Sequence, residues 1–272
     1  MAETYLEESN VEQQTDDGLL TDTRLKWIGI IIAGSFSAGV ILLISQILIR
    51  FVDYDLMRAI LPRFIDAYIL VLEIVVVSSV LSLIAGVFVG LGRVSKTRFT
   101  RTVASVYVEF FRGTPLLFQL LVIYVGIPAF GIGRFPNWKY FAAVIGLTLN
   151  HAAYSGEAIK GGINSIPDGQ MEAARSLGMS YISAMRKVVL PQAWRNALAA
   201  IGNDQIILVK DTSLLTVIAV PEIISVFRNV NSNQLETWTP IILVCIAYLA
   251  ITIPLSRLVR MLESRAEWGE EQ

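Results

Sequence analysis

Five polar residues lie close together in an otherwise apolar stretch around position 205 of the 272-residue sequence. They are Asn203, Asp204, Gln205, Lys210 and Asp211. Positions seven apart on a helix return to within about 20° of each other, so Asn203 and Lys210 share one stripe. Asp204 and Asp211 share the next stripe, and together these residues predict one polar face. The apolar residues expected to lie away from that face are Ile206, Ile207 and Leu214.

A face of this kind cannot contact lipid, because a charge at the centre of a bilayer costs about 2.5–3.5 kcal/mol on insertion scales. It can line a water-filled path or a seam between protein subunits. Alternatively, Lys210 pairs with an aspartate to hold helices together, and no solute touches either group. The sequence leaves both interpretations open.

Two more carboxylates fall within apolar stretches. Glu157 lies at the end of one, on the same helical face as Ala153 and Tyr154. It would act as a gate or amine contact, or it is a solvated carboxylate at a helix end. Glu73 lies one-third of the way along another stretch, where it would contact a cationic ligand or hydrogen-bond within a helix bundle.

A histidine and a helix break complete the candidate groups. His151, the single histidine, follows Asn150 in an apolar run, and we expect a hydrogen-bonded structural histidine rather than a proton carrier. The run Arg112–Pro115 predicts a break, because glycine and proline free backbone groups that then need burial or water. Breaks of this kind often lie beside the pathway in transporters. Arg112, Thr114 and Asn150 are therefore candidate pathway residues.

The composition limits what this chain can be. It is 54% hydrophobic and 17% charged, with a mean hydropathy of +0.59, which is typical of a membrane protein. The net charge of −1 gives no electrostatic support for binding nucleic acid. One cysteine and one histidine predict no metal site, and no P-loop motif is present. The sequence shows no Ser/His/Asp set, so an intramembrane hydrolase is poorly supported.

The polar groups must be positioned by membrane-spanning helices. Apolar runs predict six spans: Ile28–Ile49, residues 65–92, Leu116–Ile132, Tyr140–Gly156, a span within Ala197–Val220, and Thr237–Ser256. Gly86 and Gly90 in the second span have the small-xxx-small spacing that favours close helix packing. Residues 1–23 form an acidic tail that we expect to be disordered.

The placement of Lys and Arg predicts the orientation. If the N-terminus is inside, the inner segments carry 14 basic residues and the outer segments carry 6. This places residues 165–191 and both termini in the cytoplasm.

That segment, Ser165–Pro191, is a polar island between two apolar regions. Ser165 and Asp168 predict a capping box at the start of a first helix. Gly178 ends that helix, and Ser180 caps a second helix that Pro191 ends. Each helix is about ten residues, or roughly 15 Å, which is too short to cross a bilayer.

The island resembles the EAA loop of the permease subunits of ABC importers. Glu172, Ala173 and Ala174 are followed after three residues by Gly178 and, nine residues later, by residues 188–191 (VVLP). The loop pattern there is Ile, any residue, Leu, Pro, so Val188 for Ile is the one departure. Other stretches resemble the polar amino-acid branch of these permeases: residues 109–116 (EFFRGTPL), 152–157 (AAYSGE), 161–163 (GGI) and 210–214 (KDTSL).

The resemblance implies an all-α integral membrane protein with the ABC importer type I permease fold. Its core of five helices would occupy residues 64–260, with an extra transmembrane helix at 27–50 and a cytoplasmic C-terminal tail at 261–272. The EAA loop would be a coupling helix that docks on a separate ATPase. The residues implied in coupling are Glu172, Ala173, Ala174, Gly178, Leu190 and Pro191.

The same resemblance implies the partners and the substrate. Two permease subunits, identical or paralogous, would form the pathway for a polar amino acid that an external solute-binding protein delivers. ATP and Mg would bind to the ATPase dimer, so this chain would carry no cofactor and perform no covalent chemistry. One alternative is a secondary transporter driven by an ion gradient, with Asp204, Asp211 and Glu73 as its ion sites. A second alternative is a scaffold that recruits a cytosolic partner without transport.

Overall fold

A computed structural model describes residues 22–267, and it divides into two compact units, residues 1–53 and 54–272. The predicted acidic tail therefore lies almost entirely outside the described residues. The first unit contributes one long apolar helix, α1 (Asp22–Arg50). The second unit holds all the candidate polar residues and is described by itself below.

The second unit is helical over almost its whole described length. Its helices are α2 (Tyr54–Arg93), α3 (Arg98–Gly113), α4 (Leu116–Ala129, with a π-turn at Val122–Gly126), α5 (Trp138–Asn164), α6 (Asp168–Ser176), α7 (Tyr181–Ala184), α8 (Leu190–Asp211), α9 (Ile223–Gln234) and α10 (Trp238–Glu267). Several exceed their predicted lengths: α2 begins at Tyr54, α5 continues to Asn164, and α10 continues through much of the predicted C-terminal tail.

Helices α2 and α5 form the central pair, and their contact depends on glycine. A Cβ at Gly86 would lie 2.6 Å from the Ser155 Cβ, and a Cβ at Gly90 would lie 2.8 Å from the Ile159 side chain. From the other side, a Cβ at Gly156 would lie 2.6 Å from Val89. The prediction that Gly86 and Gly90 support close helix packing is confirmed.

Helix α8 packs against α5 and α10, and a broad apolar core surrounds these contacts. Leu208 and Val209 of α8 meet Val71 of α2 and Ile251 of α10 in one buried cluster. A second cluster, which includes Ile163 of α5 and Ala193 and Ala197 of α8, fixes the base of α8 against α5. The polar residues of α8 are therefore held on a helix that is packed along its length.

The Ser165–Pro191 segment has one predicted turn and two features that differ from prediction. Gly178 has φ +82° and ends α6, with the Met179 N–H donating to the Ala174 carbonyl. Ser180 caps α7 as predicted, accepting from the Ser183 N–H at 3.2 Å. The predicted capping box at Ser165 is wrong. The Ser165 hydroxyl donates to the Gly162 carbonyl, and the N-cap residue of α6 is Pro167, which makes no side-chain capping bond.

The prediction that Pro191 ends the second helix is also wrong. A π-turn at Met185–Val189 widens the helix just before the proline, and the Leu190 N–H donates to the Met185 carbonyl. Proline in a regular helix clashes with the carbonyl four residues earlier, and the wider turn relieves that clash. Residues 181–211 therefore run as one continuous helix, and the island consists of one short helix folded onto the start of a long one.

Within the described residues, three helices are long and apolar enough to cross a membrane: α1, α2 and α10. Helices α3 and α4 together make a fourth candidate, bent by 104° at Gly113–Pro115. Helices α5 and α8, which the sequence also predicts as spans, carry more polar residues. Many of those residues face one another in the interior, where they need no lipid contact.

Replacing Gly156 by alanine should destabilise the protein. The added methyl group would lie 2.6 Å from Val89, and overpacking of this kind costs about 1–3 kcal/mol. Gly161→Ala in the same helix is the matched control, because no heavy atom lies within 4 Å of its Cβ position. Thermal melting of the purified protein in detergent should show a lower Tm for Gly156→Ala and an unchanged or higher Tm for Gly161→Ala. Equal melting temperatures would contradict the close α2–α5 contact.

Candidate functional site

The buried Asp204, the partly exposed Asp211 and the single histidine form a cluster between α5 and α8. The His151 Nδ1 is hydrogen-bonded to the Asp204 Oδ1 at 2.8 Å, and the Ser155 hydroxyl donates to the Asp204 Oδ2 at 3.3 Å. The His151 Nε2 lies 3.4 Å from the Asp211 Oδ2. This distance is short enough for an ion pair, but the two groups are not aligned for a hydrogen bond. His151 is only 1% exposed, and the prediction of a hydrogen-bonded histidine is confirmed.

The polar face of α8 is divided rather than uniform. Asp204 is buried against His151, whereas Asn203 and Lys210 are exposed. Lys210 makes no hydrogen bond or ion pair within the described part of the chain, so the predicted Lys–Asp pair is replaced by the aspartate–histidine contacts. The expectation that Ile207 lies away from this face is wrong, because Ile207 lines the same cavity as both aspartates. It is three residues after Asp204 and four before Asp211, which places it on their side of the helix.

The predicted break after Arg112 is confirmed, and amide side chains satisfy the backbone groups it frees. Gln119 Nε2 donates to the Phe111 carbonyl at 2.9 Å and to the Thr114 hydroxyl at 2.8 Å. Asn150 Nδ2 donates to the Gln119 Oε1 at 3.0 Å and to the Phe111 carbonyl at 3.2 Å. Both amides are almost fully buried. They replace the water that a broken helix would otherwise require.

The cluster and the break enclose one cavity of about 410 Å³. Asp204 and Asp211 lie on its α8 wall, and Arg112 lies at the break. The guanidinium of Arg112 sits 5.2 Å from the centre of the Tyr154 ring, in cation–π contact. The complete lining is Arg112, Gly113, Thr114, Pro115, Leu116, Asn150, His151, Tyr154, Asp204, Ile207 and Asp211. Carboxylates and a guanidinium therefore share one partly enclosed space.

A second charged group lies further along α5. The Glu157 carboxylate is 2.9 Å from the Arg93 guanidinium, 3.1 Å from the Lys160 ammonium and 3.9 Å from the Arg112 guanidinium. Glu157 is therefore not a simple solvated carboxylate at a helix end. Three cations thus surround one carboxylate. Arg112, the most distant of the three, also lines the cavity.

Glu73 lies apart from both groups. Its side chain is exposed and borders a shallow groove of Leu70, Ile74, Val77, Tyr140 and Val144. It makes no hydrogen bond or ion pair within the described residues. Of the candidate pathway residues, Glu73, Asn203 and Lys210 are thus outside the cavity, and Glu157 borders it only through Arg112.

The predicted coupling residues occupy different environments. Glu172 and Ala173 are exposed, whereas Ala174 is 4% exposed and packs inward. Leu190 is partly buried and Pro191 is exposed on the continuous helix. Two large apolar side chains project instead: Leu177 is 85% exposed and Ile182 is 77% exposed.

The sequence did not single out several groups that the fold brings into the site. Gln119 is a single amide within an apolar run, and that pattern could have identified it as a buried polar residue. Arg93 and Lys160 entered the sequence analysis only through the count of basic residues, and Leu177 did not enter it. From the sequence, His151 was assigned a structural role and was not connected with the aspartates of α8. Aspartates within an apolar stretch need a buried partner, and His151 provides it.

Comparison with known proteins identifies relatives over most of the second unit. A family model described as "Binding-protein-dependent transport system inner membrane component" matches residues 78–268, so α1 lies outside it. The chain is 35% identical to the "Probable amino-acid permease protein YxeN" of Bacillus subtilis (strain 168), covering 78% of this chain and 95% of that protein. It is 34% identical to the "Arginine transport system permease protein ArtQ" of the same organism, covering 75% and 93%.

Solved structures give the same result. A crystal structure of an amino acid ABC transporter with histidines contains a chain that is 36% identical, with a TM-score of 0.72, covering 79% of this chain and 99% of that one. An inward-facing form of the MetNI methionine ABC transporter is 21% identical with a TM-score of 0.61, which supports the fold alone. The type I importer permease fold that the sequence predicts is confirmed.

Glu157→Gln should destabilise the protein in a salt-dependent way. Removing the carboxylate leaves Arg93, Arg112 and Lys160 facing one another, and we expect a loss of about 1 kcal/mol because the group is partly exposed. Added salt should shrink the loss by screening the cations. Melting curves at low and high salt measure this effect. Glu109→Gln is the control, since Glu109 is exposed and forms no ion pair with any described residue. A salt-independent loss would argue against mutual repulsion.

Proposed function

The chain belongs to the family of binding-protein-dependent transport system inner membrane components, and on that premise we propose that it imports amino acids through the cavity between α5 and α8. It is the permease subunit of an ATP-driven importer, and the ion-gradient alternative is not favoured. The names of several relatives support an amino-acid substrate.

The arrangement of charge in the cavity carries this proposal. An amino acid is a zwitterion, with an ammonium and a carboxylate on one carbon. Asp204 and Asp211 offer acceptors to the ammonium, and Arg112 offers donors to the carboxylate. The cavity size of about 410 Å³ falls within the usual range for sites that bind small molecules. The side chain of the substrate would lie among Tyr154, Ile207 and the uncharged lining residues.

We assign a gating role to the Glu157 group. Glu157 lies six residues beyond His151, about 9 Å further along α5. Arg112 lines the cavity and its guanidinium also lies 3.9 Å from the Glu157 carboxylate. It can therefore leave Glu157 and bind the carboxylate of the substrate instead. Release would then pass along the side where Arg93 and Lys160 hold Glu157.

Coupling to the ATPase would occur at the surface formed by α6 and α7, which we call the knob (residues 168–184). Glu172 offers an ion pair, and Leu177 and Ile182 offer exposed apolar area that a groove of the partner would cover. Gly178 fixes the turn between the two helices. Because residues 181–211 form one continuous helix, movement of the knob is transmitted directly to Asp204 and Asp211.

The assembly proposed for this chain follows from its family. Two permease subunits, of this chain or of this chain and a paralogue, would pair with two ATPase subunits that bind ATP and Mg. An external binding protein would deliver the substrate. The chain would lie in the cell membrane with both termini and the knob in the cytoplasm, in agreement with the excess of basic residues on that side.

Uptake by reconstituted vesicles tests the proposal. Vesicles that contain the chain and its ATPase, with the binding protein outside, should accumulate amino acid only when ATP is enclosed. Collapse of ion gradients should leave this uptake intact. Uptake that follows an ion gradient and ignores ATP would support the secondary transporter instead.

Leu177→Asp should uncouple the importer. A leucine that is 85% exposed here but covered by a partner contributes about 1.5–3 kcal/mol, so its loss should weaken ATPase association about tenfold or more. Co-purification of the ATPase and ATP-dependent uptake should both fall. Leu235→Asp is the control, because Leu235 is 91% exposed but lies after α9, away from the knob. Equal effects of the two substitutions would contradict docking through Leu177.

A further inference from the structure

The Asp204–His151–Asp211 cluster holds one buried and one partly exposed carboxylate against a buried imidazole. The His151 Nδ1 is 2.8 Å from Asp204 and the Nε2 is 3.4 Å from Asp211, so both ring nitrogens face carboxylate oxygens. A neutral imidazole carries a lone pair on one nitrogen. A lone pair beside an ionised carboxylate is repulsive, and the imidazole itself is only 1% exposed. A second proton on the ring removes this repulsion, because an imidazolium attracts both carboxylates.

The charges of the cluster follow from this arrangement. Two carboxylates and one imidazolium sum to −1. Because the groups are coupled, the charge belongs to the cluster rather than to a single residue. His151 thus removes one of the two negative charges that α8 brings to the cavity.

The opposite side of the cavity supplies one positive charge. Arg112 lines it, and its anionic partner Glu157 is closer to Arg93 and Lys160 than to Arg112. Lys210 and Glu157 are not among the lining residues, and the other lining side chains are uncharged. The cavity therefore presents one net anion and one net cation to a ligand.

We propose that His151 restricts the cavity to amino acids with uncharged side chains. This inference depends on the function proposed above. The ammonium of the substrate neutralises the aspartate–histidine cluster, and its carboxylate neutralises Arg112. A basic side chain would bring a second positive charge with no anion left to receive it. An acidic side chain would bring a second negative charge beside carboxylates.

Direct binding to the purified permease in lipid nanodiscs tests this assignment without the binding protein, which has a specificity of its own. The probes are radiolabelled L-glutamine and L-arginine. The wild-type protein should bind glutamine about tenfold or more tightly than arginine, because one uncompensated charge in a poorly solvated site costs at least that factor. His151→Asn leaves two ionised aspartates, so the preference should shift toward arginine by a similar factor.

Two further variants separate charge from shape. His151→Asn combined with Asp211→Asn restores a net charge of −1, and the preference for glutamine should return. Ser155→Ala removes a hydrogen bond to Asp204 without altering charge, so the ratio of the two affinities should stay as in the wild type. If His151→Asn does not fold, the double variant and Asp211→Asn alone still test the charge dependence. Asp211→Asn removes the second carboxylate and with it the reason for the second ring proton, so the cluster keeps a net charge of −1 and the preference for glutamine should stay.

The outcomes distinguish the two proposals. A wild-type protein that prefers arginine, or a ratio that does not move in His151→Asn, overturns the role of His151 and leaves amino-acid transport standing. Recovery in the double variant supports the charge account and excludes a purely structural role. Failure of every amino acid to bind, together with absence of ATP-dependent uptake, overturns the proposed function itself.

Discussion

The contact between Asp204 and His151 is the constraint that the rest of the site depends on. An ionised carboxylate in a dry interior is very unfavourable unless a charged or donating partner lies beside it. Here the partner comes from α5 and the carboxylate from α8, so the two helices must stay in register for either group to remain buried. The same pair also defines the wall of the cavity. The groups that hold these helices together are thus the groups that give the cavity its charge.

The helix break on the other side of the cavity follows a related rule. Gly113 and Pro115 interrupt the α3–α4 helix, and the freed carbonyl groups need donors. Gln119 and Asn150 provide those donors from buried positions, so these carbonyl groups do not depend on water. No heavy atom lies within 4 Å of the Cβ position of Gly113, and Gly113 and Thr114 both line the cavity. Arg112, at the end of α3, is positioned by this break between the cavity and Glu157.

The knob is connected to the cavity through one rigid element. The π-turn before Pro191 lets the helix that starts at Tyr181 continue to Asp211, a length of roughly 45 Å. The base of this helix is clamped by the cluster around Ala193 and Ala197, where Gly162 allows α5 to approach the Ala193 backbone. A second contact ties the knob to the α2–α3 connection, where the Lys96 ammonium lies 4.3 Å from the centre of the Tyr181 ring. Packed backbone, rather than a flexible loop, therefore joins the knob to the aspartates.

The amino-acid sequence was sufficient to predict the membrane character, the helical class, the break at Gly113, the turn at Gly178 and the close packing at Gly86 and Gly90. Each of these depends on the residue type at one position or on a local spacing, so a single stretch of sequence is sufficient to predict it. The tertiary structure alone decided which polar groups meet. Asp204 pairs with His151, 53 residues away, rather than with nearby Lys210, and Arg93 joins Glu157 across 64 positions. Helical periodicity specifies the direction in which a side chain points from its own helix, but the neighbour it meets depends on how separate helices pack, and that packing is a property of the whole chain.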